Sequence, residues 1–185
     1  MKKSIVIPVL MLLVMNAHAN EWSGNANFIL GTKSLENSDW GPLDEQVAFG
    51  VLVDFKQKNW PFSMAIDLLG SLDEETIFGV KTEGRTSEFD IGIRKIWEVS
   101  GSSIRPFIGG GIALIDAEQK LTNGVSVSVD DSATGIWLNG GVYWTLGQNF
   151  NLGLQARYSK AEVTLVGIDV EAGGTIAAIM LGYHW

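Results

Sequence analysis

The chain has 185 residues, of which 46% are hydrophobic, with 22 Gly, 7 Trp and no Cys. Its formal net charge is -8, which argues against a nucleic-acid partner because phosphates require a basic surface. The length suits a single domain, and the lack of cysteine excludes disulfides and thiolate metal sites.

The first residues have the pattern of a secretory signal peptide. Lysines supply positive charge at the start, an apolar run covers residues 5–14, and an Ala-His-Ala sequence ending at Ala19 has the small residues of a cleavage site. We expect export and cleavage after Ala19, with residues 1–19 as the signal peptide and residues 20–185 as the mature domain. A transmembrane helix needs about 20 apolar residues. The sequence contains no run of that length, and no helical anchor is expected.

After residue 20 the apolar residues recur with a period of two, which predicts β-strands rather than helices. Between residues 47 and 55, for example, large apolar side chains alternate with smaller or polar ones such as Gly50 and Asp54. Eight segments show this alternation and are predicted to be strands: residues 22–33, 47–55, 62–68, 88–94, 104–114, 135–145, 150–159 and 174–185.

The connections between these strands alternate in length, as they do in transmembrane barrels. Short connections are predicted near residues 57–61, 98–103 and 147–149, and longer, acidic ones near 34–45, 73–84, 116–131 and 165–172. Two of the longer connections have a period of two themselves, at Val125, Val127 and Val129 and within residues 163–170. We therefore expect strands that continue beyond the membrane.

The alternation alone leaves open which face meets lipid, because a soluble ligand-binding barrel turns its apolar face inward. Eight strands enclose a lumen just wide enough for side chains, which suits the face rich in Gly, Ala, Ser and Asn. That face also carries four acids and four bases, and buried charges require such balance. We predict that these residues form a lumen charge network: Asp54, Asp67, Glu88, Asp90, Lys56, Arg94, Arg105 and Arg157.

Aromatic residues support the membrane orientation, since Trp and Tyr prefer the interface between hydrocarbon and water. Near strand ends on the short-turn side lie Trp22, Trp60, Trp97, Trp144, Tyr183 and Trp185. The predicted fold class is therefore all-β, an eight-stranded antiparallel up-and-down transmembrane β-barrel. The predicted location is the bacterial outer membrane.

The glycine-rich segment 105–111 and the closing Gly-Tyr-His-Trp of residues 182–185 resemble the small eight-stranded outer-membrane barrels of the OmpA/OmpX type. The resemblance extends over essentially the whole mature chain. It implies contact with outer-membrane lipid and lipopolysaccharide, and recognition by the barrel-assembly machinery during biogenesis. Leu181, Tyr183 and Trp185 would form the C-terminal assembly signal, with Trp185 where that family usually has Phe.

Some outer-membrane barrels of this size are similar to enzymes that act on lipopolysaccharide, such as lipid A deacylase and lipid A palmitoyltransferase. Those enzymes use a His together with a Ser and an acid. The mature chain has one histidine, His184, at the predicted periplasmic rim, whereas outer-leaflet chemistry would take place at the opposite end. The acids at 73–75 and 130–131 lack the spacing of an EF-hand loop. We expect no catalysis, no cofactor and no metal site.

Our leading hypothesis is a structural or surface-interaction role in envelope integrity or adhesion, with a possible protein partner at the extracellular loops. A protruding sheet with open edges could recruit an extended peptide by strand addition. A second hypothesis is a narrow pore for small solutes, although the predicted lumen should be blocked by Arg94, Arg105, Arg157, Phe107, Trp137 and Tyr143. A third is a lipid A-modifying enzyme, and a fourth is a soluble periplasmic barrel.

Overall fold

The computed structural model describes residues 21–35, 37–77, 79–123, 125–165 and 167–185, and the predicted signal peptide lies outside these ranges. Among these residues no helix is long and apolar enough to cross a membrane. The elements are β1 (Trp22–Ser34), α1 (Asn37–Trp40), a 3-10 helix (Gly41–Leu43), β2 (Glu45–Gln57), β3 (Ser63–Ile77), β4 (Val80–Ile96), β5 (Ile104–Asn123), β6 (Val125–Leu146), β7 (Phe150–Lys160), β8 (Glu162–Leu165), β9 (Ile168–Glu171) and β10 (Gly174–His184).

Eight strands form a closed antiparallel barrel in the order β1-β10-β7-β6-β5-β4-β3-β2. The ring closes at β1, where Phe28 stands opposite Val51 of β2 on one side and Leu181 of β10 on the other. The predicted eight-stranded up-and-down barrel is confirmed. The three short connections lie at one end, which we call the short-turn end, and the β3–β4 and β5–β6 hairpins close at the other, the long-hairpin end.

The apolar face of the barrel is turned outward. Phe49, Val51, Ile91 and Leu181 are between 37% and 52% exposed. Their neighbours along the strands, such as Asp90, are buried inside. The predicted orientation of the apolar face toward lipid is confirmed, and the hypothesis of a soluble barrel with an apolar interior is wrong.

Two of the predicted long connections consist largely of strand, as the alternation at Val125, Val127 and Val129 had indicated for one of them. The ladder between β3 and β4 continues through residues 73–84 to the pair Ile77 and Val80, and that between β5 and β6 continues through 116–131. The outer neighbours of these strands end earlier, because β2 pairs with β3 only as far as Leu72. What extends beyond the ring is a four-stranded sheet, here called the projecting sheet, made of β3 (73–77), β4 (80–84), β5 (116–123) and β6 (125–135).

The connection between β7 and β10 forms a separate two-stranded sheet of β8 and β9, in which Val163 stands opposite Val170. It packs against the inner wall of the barrel together with residues that follow β1. The resulting apolar cap contains Leu35, Trp40, Leu43, Ile115, Ala117, Ala161, Val163, Leu165, Val170 and Ala172. The Trp40 indole donates to the Glu171 carbonyl oxygen at 2.8 Å. The long-hairpin end of the lumen is therefore closed by its own connections.

Candidate functional site

The centre of the lumen holds an ionic layer contributed by four strands. Arg94 donates through Nη1 to Asp54 Oδ2 at 3.1 Å and through Nη2 to Asp67 Oδ2 at 2.8 Å. Arg157 donates through Nη1 to the same Oδ2 of Asp67 at 2.9 Å, and through Nη2 to Asp90. All five side chains are buried. Asp67 is thus shared by two guanidinium groups, one from the neighbouring strand β4 and one from β7 across the lumen.

The strand register explains why the carboxylates of the ionic layer require a cation between them. Asp67 of β3 and Asp90 of β4 stand directly opposite in the ladder, and like charges in that position repel. Arg157 crosses the lumen from β7 and pairs with both. Arg157 therefore bridges the two carboxylates and offsets the repulsion between them, and Arg94 adds a second cation at Asp67.

Aromatic rings fill the space around the ionic layer. Phe107 and Tyr143 stack with their ring centroids 4.5 Å apart, and Arg94 lies over Phe107. The Arg157 guanidinium carbon is 4.4 Å from the centroid of Trp137, within the range of a cation–π contact. Arg157 is thus held both by carboxylates and by a ring.

Toward the short-turn end, Arg105 organises a second polar layer. Its Nη2 donates to Asn25 Oδ1 at 3.0 Å and to Asn151 Oδ1 at 2.8 Å, and its Nη1 lies 3.6 Å from Glu98. His184 Nδ1 is 3.2 Å from Arg105 Nη1 and 2.9 Å from the Gly24 carbonyl oxygen. A carbonyl oxygen can only accept and a guanidinium can only donate, so His184 Nδ1 can form a hydrogen bond with only one of these two partners at a time.

Toward the long-hairpin end, Lys33 forms a third polar layer. Its ammonium is 2.6 Å from Glu88 Oε1, and it also donates to Thr86 at 2.9 Å and to the Ala172 carbonyl oxygen at 3.1 Å. Ser159 donates to the same carboxylate oxygen at 3.1 Å. This layer ties the β8–β9 connection to the barrel wall.

Lys33 is absent from the predicted lumen set, whereas Lys56 is in it. The structure places Lys56 at the rim of the short-turn end, half-buried and without an ion pair among the described residues. Lys33 follows Asn25, Asn27 and Ile29 on the inward face of β1, so the alternation of the sequence could have predicted that Lys33 points into the lumen. The seven other predicted charges are all buried, with Glu88 and Arg105 each only 4% exposed.

These layers leave little room in the lumen. The cavity between Arg105, His184 and Lys56 has a volume of about 10 Å³, roughly that of a single water position. Above it follow the ionic layer, the Lys33 layer and the apolar cap. Side chains therefore occupy the lumen at each level that the structure describes.

The projecting sheet has two different faces. On its outer face, Lys81 lies 2.7 Å from Glu74 and 2.9 Å from Glu83. The hydrogen bond from Lys81 lowers the pKa of Glu83. On its inner face, Leu121 and Val127 stand opposite each other near the tip, and each is at least half exposed. The sheet thus presents an uncovered apolar pair on one face and a charged surface on the other.

The projecting sheet also has two edges. Residues 73–77 of β3 have no ladder partner on their far side among the described residues, and neither have residues 125–135 of β6. Lower on the β6 edge, the Thr164 backbone N–H donates to Asp131 Oδ2 at 2.8 Å, which lowers the pKa of Asp131. The acids at 73–75 and 130–131 belong to this sheet, and within the described ranges no cluster of acids and histidines could hold a metal ion.

No protein-family model and no curated protein sequence matches the chain. Solved structures match it over most of its length. The outer-membrane protein OprG of Pseudomonas aeruginosa is 10% identical, with 89% of this chain and 95% of that chain covered and a TM-score of 0.61. Ail, the attachment invasion locus protein of Yersinia pestis, is 13% identical, with 89% and 99% covered and a TM-score of 0.59. Neisserial surface protein A is 12% identical, with 88% and 94% covered and a TM-score of 0.54.

The fold is that of the small eight-stranded outer-membrane barrels. In this barrel, aromatic side chains gather at the short-turn end, where Trp22 contacts both Phe55 and Trp60. Leu181 and Tyr183, two residues of the predicted assembly signal, face outward and are exposed.

Trp185, the third residue of the predicted signal, is half-buried and lies at the seam of the barrel. Its backbone exchanges hydrogen bonds with Gly24 at 3.0 and 3.1 Å. A Cβ on Gly24 would lie 2.5 Å from the Trp185 ring, so this position requires glycine. The assembly function of these three residues stays a prediction.

Proposed function

We propose that this protein is an outer-membrane surface-interaction protein, in which the barrel is an anchor and the projecting sheet is the binding element. The observation that supports this most is the combination of a filled lumen with an open-edged sheet at the long-hairpin end. The barrel-assembly machinery and the lipids of the outer membrane, including lipopolysaccharide, are its proposed partners during and after biogenesis.

The β6 edge is the proposed contact. Exposed edges present unpaired backbone N–H and C=O groups, and natural proteins usually cover or shorten them. Residues 126–130 lie above the contact with β8 and are mostly exposed, beside the apolar pair of Leu121 and Val127. An extended segment of a partner protein could add there as a further strand, with its apolar side chains on the inner face.

The charge of the projecting sheet indicates which side chains such a segment should have. The stretches 73–85 and 116–131 contain eight acids and three bases. A polyanion, such as the heparin analogue sucrose octasulfate bound in a structure of Ail, would be repelled here. A segment in which basic residues alternate with apolar ones would be complementary in both charge and pattern.

The test uses defined peptides and a shortened hairpin. Replacing residues 121–127 by an Asn-Gly turn joins Lys120 to its ladder partner Ser128 through a two-residue loop and keeps the register. The full-length barrel should bind an alternating Lys-Val octapeptide at least about tenfold more tightly than a Glu-Val octapeptide, because the acidic residues of the projecting sheet repel the Glu side chains.

The shortened barrel should lose this binding, measured by fluorescence anisotropy in detergent. The matched control replaces residues 76–81 of the β3–β4 hairpin by Asn-Gly, which leaves the β6 edge intact and should keep the binding. Equal affinity for both peptides, or full binding by the barrel shortened at β6, would contradict the proposal.

A pore is disfavoured by the filled lumen, and planar-bilayer recordings are expected to show no stable channels. Catalysis is disfavoured by the surroundings of His184, whose Nδ1 faces a carbonyl and a guanidinium. Among the described residues no hydrogen bond joins it to a serine. Overexpression should therefore leave the lipid A mass spectrum unchanged, and a new lipid A species would favour an enzyme.

A further inference from the structure

The outer wall of the barrel carries a groove of about 580 Å³, within the usual size of ligand pockets of about 300–1,000 Å³. It exists because Gly110 faces outward between Ile93 of β4 and Leu138 of β6, its two ladder partners. Phe62 and Ile108 complete the apolar lining.

The groove runs toward the short-turn end, where it reaches Lys95. Lys95 lies between Ile93 and Trp97 on the outward face of the chain, at the level of the aromatic residues that mark the membrane interface. Its ammonium donates to the Pro61 carbonyl oxygen at 2.6 Å. Among the described residues no carboxylate lies within ion-pair distance of it, and its charge is left uncompensated by the protein.

We infer that this groove binds one acyl chain of an anionic phospholipid, with the lipid phosphate at Lys95. An unfilled groove in the wall loses dispersion contacts that a close-fitting chain restores. The cation at its interfacial end selects for negative charge. The lining is otherwise apolar, which suits a hydrocarbon chain and leaves the headgroup as the only group to be recognised electrostatically.

The experiment is native mass spectrometry of the refolded barrel in detergent with equimolar dioleoyl-phosphatidylglycerol and dioleoyl-phosphatidylethanolamine. One phosphatidylglycerol should be retained about fivefold in preference, the effect expected of one lysine near an anionic headgroup. Lys95→Gln should abolish the preference. Lys58→Gln, which removes an exposed charge from the same end, should leave it intact.

Filling the groove tests its apolar part. Gly110→Leu should reduce retention of both lipids, because a Cβ at this position already lies 2.8 Å from Leu138 Cδ2. Leu138→Phe provides a second filling variant at an exposed site if the first fails to fold, which heat-modifiable gel migration reports.

An unchanged preference in Lys95→Gln, or wild-type retention in a folded groove-filling variant, would overturn the inference. The groove is on the membrane-facing wall, and either result would leave the surface-interaction proposal untouched.

Discussion

Arg157 offers the sharpest test of how the lumen is held together. Arg157→Met keeps an apolar stem but removes the guanidinium that Asp90 and Asp67 share. Asp67 retains Arg94, whereas among the described residues Asp90 has no other cationic partner. The substitution therefore leaves a buried carboxylate without compensation.

Removing one partner of a buried ion pair costs about 3–5 kcal/mol, because the remaining charge stays out of water. Loss of the stacking over Trp137 adds to this. Natural proteins have unfolding free energies of about 5–15 kcal/mol, so the midpoint of urea unfolding should fall clearly. The assay is a urea titration of the barrel folded in lipid vesicles, followed by tryptophan fluorescence.

The double variant Arg157→Met with Asp90→Asn separates charge from packing. It removes the orphaned carboxylate and should recover at least half of the loss, since the coupling between contacting groups is what such a cycle measures. Lys81→Met, which removes a cation from an exposed pair on the projecting sheet, should leave the midpoint unchanged. A loss of under about 1 kcal/mol for Arg157→Met, or a double variant no more stable than the single one, would refute the idea that pairing stabilises the lumen.

Two further outcomes are expected. Gly141→Ala should prevent folding, seen as a loss of heat-modifiable gel migration, because its Cβ would lie 2.2 Å from the Leu154 carbonyl oxygen. Gly140→Ala should fold normally, because its Cβ would lie 3.6 Å from the nearest atom. Equal migration of the two variants would show that the close approach at Gly141 does not limit folding. Replacing residues 162–171 by a short Gly-Ser linker should remove β8 and β9 without opening the barrel to ions, because the Arg94 and Arg157 layer remains beneath. Stable channels in that variant would mean that the cap alone closes the lumen.

The alternation of side chains determined which face of each strand is inside, but not how deep each residue lies. Lys33 and Lys56 are both on inward faces, yet Lys33 pairs with Glu88 and Lys56 remains at the rim. Depth depends on the register between strands, which sets the residues that share one level of the ring. The alternation within each strand does not determine the register between strands, so a single sequence does not predict it.

The projecting sheet and the apolar cap were harder to predict. A strand with water on both faces has no reason to alternate, so that Asp73 and its acidic neighbours resembled a loop. The alternation at residues 163–170 did indicate strands, but not that they form a sheet of their own against the inner wall. Such packing depends on contacts between segments far apart in the chain, here with Trp40 and Ile115.

The pairing of β1 with β10 has a consequence for how the protein is made. Asn25 and His184 stand opposite each other although nearly the whole chain separates them, and joining such distant segments carries a large loop-closure entropy. The ladders that join β1 to β7 through β2–β6 can form without β10, whereas both ladders of β10, with β7 and with β1, must wait for it. Until β10 arrives, two strand edges would face hydrocarbon with unsatisfied backbone groups, each costing several kcal/mol. Stable residence in the bilayer is thus an all-or-none event that waits for the last strand.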